Sequence, residues 1–183
     1  MKSPLRFPST RQRSRRRNRR RANAAIELVL ILPILLIMAL GMIQFGIFFM
    51  NMQLLASASR VGAIAASEAP SLPAVNGGSI PNSVLDPIEQ QLQSSGMIHC
   101  QVRLEHNVSG SQVSLVNSAP GACECQPIDN LTTPLPPGKY VRVTVCAPLS
   151  ELMPNSLGYF GYDISGAENT AHSTSVFRYE YSP

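Results

Sequence analysis

The sequence predicts an α+β protein: a long N-terminal transmembrane helix that extends outward, followed by a small antiparallel-sheet extracytoplasmic domain. Three observations carry this reading. Residues 28–50 form an uncharged apolar run, apolar residues recur at helical spacing beyond it, and the C-terminal half holds short stretches of period-two alternation. The 183 residues leave room for one ordinary domain, part of which the apolar run withholds from any water-soluble core. The division expected is a basic cytoplasmic leader over 1–22, the helix and its extension over 23–67, and the outer domain over 68–183.

Ten of the fifteen Lys and Arg residues precede residue 22, and all eleven acids follow it. From residue 23 onward five bases face eleven acids, a balance of −6, so the formal net charge of +4 belongs to the leader. So basic an arm can neutralise phosphates of nucleic acid. Here it abuts an apolar span, where basic residues hold a helix end in the cytoplasm and attract anionic headgroups. The topological reading is therefore preferred, with residues 1–27 cytoplasmic and 68–183 outside. With few apolar residues among its arginines, the segment 1–21 is expected to be disordered.

The run LVLILPILLIMALGMIQFGIFFM has 23 positions and one strongly polar residue, Gln44. At about 1.5 Å per residue it covers roughly 34 Å, enough for a hydrocarbon core of about 30 Å. Pro33 removes one backbone donor and should bend the helix slightly, which membrane helices tolerate. Gly41 and Gly46 lie five apart and do not make the GxxxG spacing.

Beyond Met50, residues Leu54, Leu55, Ala58, Val61 and Ala65 continue a helical pattern to about Ser67, where Pro70, Pro73, Gly77 and Gly78 break it. A modest amphipathic helix is expected over 84–92, with Pro87 in its first turn. Residues 98–106 alternate, with Cys100, Val102 and Leu104 on one face and Gln101, Arg103 and Glu105 on the other. Residues 140–147 alternate likewise, Val141, Val143 and Val145 against Arg142, Thr144 and Cys146. A last strand is expected over 171–181. Helix plus small sheet gives the α+β class.

The four cysteines, Cys100, Cys123, Cys125 and Cys146, all lie beyond the span, and an even count in an oxidising compartment is compatible with two disulfides. Cys100 shares a face with apolar residues and Cys146 with polar ones, which disfavours a direct bridge between them on adjacent strands. Pairing each with one of Cys123 and Cys125, in the Pro/Gly-rich loop, is the preferred arrangement.

A single carboxylate, Glu27, stands directly before the apolar run. On physics alone it is an interfacial residue near a positive helix end. The order of segments adds to this: a basic leader, ANAAIEL, LVLILPILLIMALGMIQFG and SASRVGAIAAS, with KYVRVTVCAPLSELMP and STSVFRYE near the C-terminus. In these blocks the chain resembles the TadE-like family of pseudopilins, membrane proteins of tight-adherence (Flp-type) pilus and secretion machinery. The resemblance implies a non-enzymatic minor pseudopilin or assembly factor in the bacterial inner membrane, whose partners are a prepilin peptidase and other pilins or pseudopilins. It implies processing between Ala22 and Asn23, leaving Glu27 at the fifth mature position. The family pattern usually has Gly in place of Ala22, and relatives often carry Glu where this chain has Gln44. Glu27 and Gln44 are the residues expected to pack subunits, Glu27 by pairing with a neighbour's free amine inside a helix bundle.

Other classes fit less well. A cleaved secretory signal has an apolar region of about 7–15 residues, shorter than this run. The twin-arginine alternative lacks a Phe-Leu-Lys sequel. His99, Cys100, His106, Cys123 and Cys125 offer zinc-ligand chemistry, but a lone C-x-C is a weak signature, and disulfides are favoured in an oxidising space. G-x-S-x-G, H-E-x-x-H, a P-loop and GxGxxG do not occur. No catalytic residue, metal, cofactor, small-molecule substrate or nucleic-acid partner is therefore expected. The competing reading is an unrelated single-span envelope protein with a signal anchor and an outer binding domain.

Overall fold

A computed structural model describes residues 11–118, 135–136, 138–154, 158, 161 and 170–180, and of residues 11–25 the backbone alone. Its elements in order are α1 (Arg11–Glu68), α2 (Asn82–Gln93), β1 (Gln101–His106), β2 (Val113–Ser118), β3 (Tyr140–Pro148), α3 (Leu149–Leu152) and β4 (Thr170–Arg178). A long apolar helix followed by a four-stranded antiparallel sheet is the α+β architecture expected. The chain divides into two units at Met42 and Ile43, within the 58 residues of α1.

In the first unit α1 already begins at Arg11, so the expectation of disorder over 1–21 is corrected for residues 11–21. A helix satisfies its own backbone and needs no core. Lengthening one that already exists avoids the nucleation cost, and Arg and Ala are good helix formers. The helix runs on through Pro33 without interruption. From Ile26 to Ala39 every side chain is exposed, large aliphatic residues included.

The second unit is built on a sheet of order β2-β1-β3-β4 with every neighbour antiparallel. The register places Leu104 between Leu115 and Val143, and all three are fully buried on one face. The C-terminal half of α1 and helix α2 complete the core there. Ser59 Oγ lies 3.1 Å from Ser173 Oγ and 2.9 Å from Ser175 Oγ of β4, and Ile88 of α2 is fully buried. Gly62 marks the tightest approach: a Cβ there would stand 2.5 Å from Ile88 Cδ1 and 3.2 Å from Val143 Cγ1. The buried stripe of α1 therefore follows Leu55, Ala58, Ser59, Gly62, Ala63 and Ala66. Only Leu55 and Ala58 belong to the stripe expected from apolarity, because small residues rather than the more apolar ones let the helix approach the sheet.

Three further expectations are adjusted. Pro87 lies at the sixth position of α2 rather than in its first turn, since the helix starts at Asn82. There it forgoes one backbone bond while Val84, Leu85, Ile88 and Leu92 hold the helix by burial. Strand β2 was not expected; its Val113 and Leu115 alternate too briefly to stand out. The last strand ends at Arg178, after which Tyr179 N donates to the Lys139 carbonyl and Glu180 N to that of Ser67, tying the chain to the end of α1.

The alternation expected for β1 and β3 is present, but its second face is not all solvated. Arg142 Nη1 donates to Glu105 Oε2 at 3.2 Å with both side chains buried, and Arg103 Nε lies 3.7 Å from Glu105 Oε1. The cross-strand pair Glu105 and Arg142 explains why two charges are found side by side in the sheet's middle strands.

Candidate membrane and subunit-packing site

Among the described residues, Ile26–Glu68 is the one helical stretch long and apolar enough to cross a membrane. Ala22 and Asn23 lie within α1 as backbone positions. Glu27 is exposed at the head of the apolar run, among equally exposed Ile26, Leu28 and Val29. A carboxylate so placed is open to a partner from outside the chain.

Gln44 has the opposite environment, only 3% exposed. Its Nε2 donates to the Pro154 carbonyl at 2.6 Å, and its buried Oε1 has no hydrogen-bond partner among the described residues. Its described hydrogen bond is thus within this chain. The sequence reading missed Asn51, whose Nδ2 donates to the Leu152 carbonyl at 2.8 Å. Seven residues separate Gln44 from Asn51, two helical turns, so both stand on one face of α1. That spacing, within and just past an apolar run, was the available signal.

The turn they hold is α3 and the two residues after it. Leu152 and Met153 are buried, and Met153 N closes the turn onto the Leu149 carbonyl at 3.1 Å. At this level Phe48 packs partly against the core, while Ile43, Phe45, Phe49 and Met50 are each more than half exposed.

Of the zinc candidates, His106 is buried in the sheet's core. Its Nε2 lies 3.0 Å from the Pro73 carbonyl, which fixes it as the N–H donor, and its Nδ1 has no partner among the described residues. Burial pushes its pKa below the ordinary histidine value, partly offset by that carbonyl. His99 is lowered for the same first cause, against a pull upward from Glu89. No group of three metal-ligating side chains occurs among the described residues. Neither Cys100 nor Cys146 is a free thiol. Gln101 rather than Cys100 stands opposite Cys146. The pairing expected with Cys123 and Cys125 falls on residues outside those described.

No curated protein and no solved structure matches the chain. A family model does match, over residues 23–63. The match is to the TadE-like protein family and takes in Asn23, Glu27, the exposed apolar run and the close contact at Gly62.

Proposed function

We propose that this protein is a minor pseudopilin or assembly factor of a tight-adherence (Flp-type) pilus or secretion system. It is anchored in the bacterial inner membrane with its N-terminus in the cytoplasm and works through contacts of its membrane helix and outer domain rather than by catalysis. The observation that carries this reading is coincidence: the TadE-like match starts at Asn23, the residue that peptidase cleavage after Ala22 would make N-terminal. It then runs through a helix whose apolar side chains are exposed around Glu27. An isolated carboxylate within a low-dielectric helix bundle is costly, and a neighbouring subunit's new amine at Asn23 offsets that cost and sets axial register. The concentration of arginines before the span supports the orientation. Cystine formation by all four cysteines of an outer domain in an oxidising space belongs to the same proposal.

The mature N-terminus tests it. N-terminal sequencing of protein recovered from membranes is expected to begin at Asn23. A chain that begins at Met1 in cells with an active prepilin peptidase supports the unrelated signal-anchor reading instead.

A further inference from the structure

The turn at 149–154 is hydrogen-bonded to the last part of the apolar run and to the residue just after it. Its Pro154 carbonyl is held by Gln44, and Gln44 lies six residues before Met50, the end of the apolar run. Six residues of helix correspond to about 9 Å along the axis. If residues 28–50 lie in a bilayer, the turn descends from the level of Asn51 to about that depth below the end of the span. Non-helical backbone reaches such a depth only when its polar groups find partners, because the hydrocarbon supplies none. Three of the turn's carbonyls have such partners. Asn51 takes the Leu152 carbonyl, Gln44 takes the Pro154 carbonyl, and the Leu149 carbonyl receives Met153 N–H. Pro154 has no N–H to satisfy. The charge in the turn, Glu151, precedes the descent and is exposed.

We propose that the 149–154 turn is a membrane-seated element that rests in the bilayer leaflet at the C-terminal end of the span. Gln44 and Asn51 hold the Pro154 and Leu152 carbonyls, the two that face α1 on the descent, so that these do not enter lipid unpaired. The occupant facing the turn and the exposed residues at its level of α1, Ile43, Phe45 and Phe49, is phospholipid acyl chain. Continuity with the apolar run argues for lipid, since the same exposed apolar surface continues from the run into this level of α1. The seat gives Gln44 a role that a purely lipid-facing position cannot: an amide in an apolar run is costly unless its donor is used. The outer domain would thereby be fixed against the membrane surface at a second point besides its helix.

The inference rests on the membrane-span reading, and the test separates the two. The chain contains no tryptophan, so a single introduced one reports without background. The full-length protein is reconstituted in phosphatidylcholine vesicles whose acyl chains carry bromine near the headgroup end, and fluorescence is compared with that in unbrominated vesicles. Phe45→Trp reports the span, Pro154→Trp the turn, and Val75→Trp an exposed loop of the outer domain. Emission from Phe45→Trp and Pro154→Trp is expected to fall about twofold, as for probes beside a hydrocarbon core of ~30 Å, with Val75→Trp unchanged. Glu151→Trp, expected to fall between Pro154→Trp and Val75→Trp, carries the test alone if the substitution at 154 prevents folding. Quenching at 45 with none at 154 or 151 overturns the seated turn and leaves the span intact. Absence of quenching at 45 overturns both.

Discussion

The two ends of α1 reverse the usual relation between size and burial. From Ile26 to Met50 the helix exposes Ile, Leu, Met and Phe, whereas from Leu55 to Ala66 it buries Ala, Ser and Gly. A water-soluble helix covers its large apolar residues first. An exposed apolar surface running this far along a helix is stable only against lipid or other helices. In the distal half, the sheet supplies the apolar bulk through Leu104, Leu115 and Val143, and the helix supplies proximity. What distinguishes the halves of this one continuous helix is side-chain volume on one face rather than hydrophobicity alone.

The largest effect expected tests whether the distal half belongs to a tightly specified domain. Glu105→Ala removes the carboxylate from the buried Arg142 and is expected to destabilise the outer domain by about 3 kcal/mol or more, read by denaturant unfolding. A loss under about 1 kcal/mol would place the pair among solvated surface bridges.

Gly62→Val contrasts the halves directly. A branched side chain meets Ile88 and Val143, so the expected cost is about 1–3 kcal/mol. Phe49→Ser, on a side chain 61% exposed, is expected to move the same unfolding transition by less than about 0.5 kcal/mol. Equal effects at the two positions would erase the distinction between the halves.

A smaller effect comes from pH. Burial lowers the folded-state pKa of His106, so the unfolded chain takes up the proton first. Its contribution is complete above the unfolded value of about 6.5 and is lost as pH falls from there through the lower folded value. The melting temperature is therefore expected to decline more steeply below that pH in the native chain than in His106→Gln. Parallel profiles would show that His106 does not contribute.

Legibility in the sequence followed the strength of each periodic signal. The apolar run and the alternation of 140–147 are uninterrupted; the alternation became β3 near its expected bounds, and the run became the middle of a helix that ends near the expected residue but starts earlier, at Arg11. The stripe of α1 was misplaced because Ser59 and Gly62 score as polar or neutral, although their smallness is what the sheet selects. Strand β2 was hidden by Asn117 and Ser118, which suit turns better than strands. At the candidate site Glu27 and Gln44 were both legible as polar interruptions of an apolar stretch. What the sequence could not supply was that Gln44 is satisfied within its own chain, since its acceptor lies 110 residues away at Pro154. Asn51 was passed over because a polar residue just beyond a span is ordinary until its partner is known.

The exposed proximal half, with Glu27 at its head, is the part of the helix proposed to assemble with other subunits. The most direct measurement is co-purification of partner pilins from membranes with the native chain and with Glu27→Ala. The native chain is expected to retain its partners. Glu27→Ala is expected to insert normally, because the apolar run is already sufficient to span, yet to lose those partners because a neighbouring amine lacks its counter-charge. Undiminished partner recovery with Glu27→Ala would contradict the assembly role and return Glu27 to the interface of an ordinary membrane anchor.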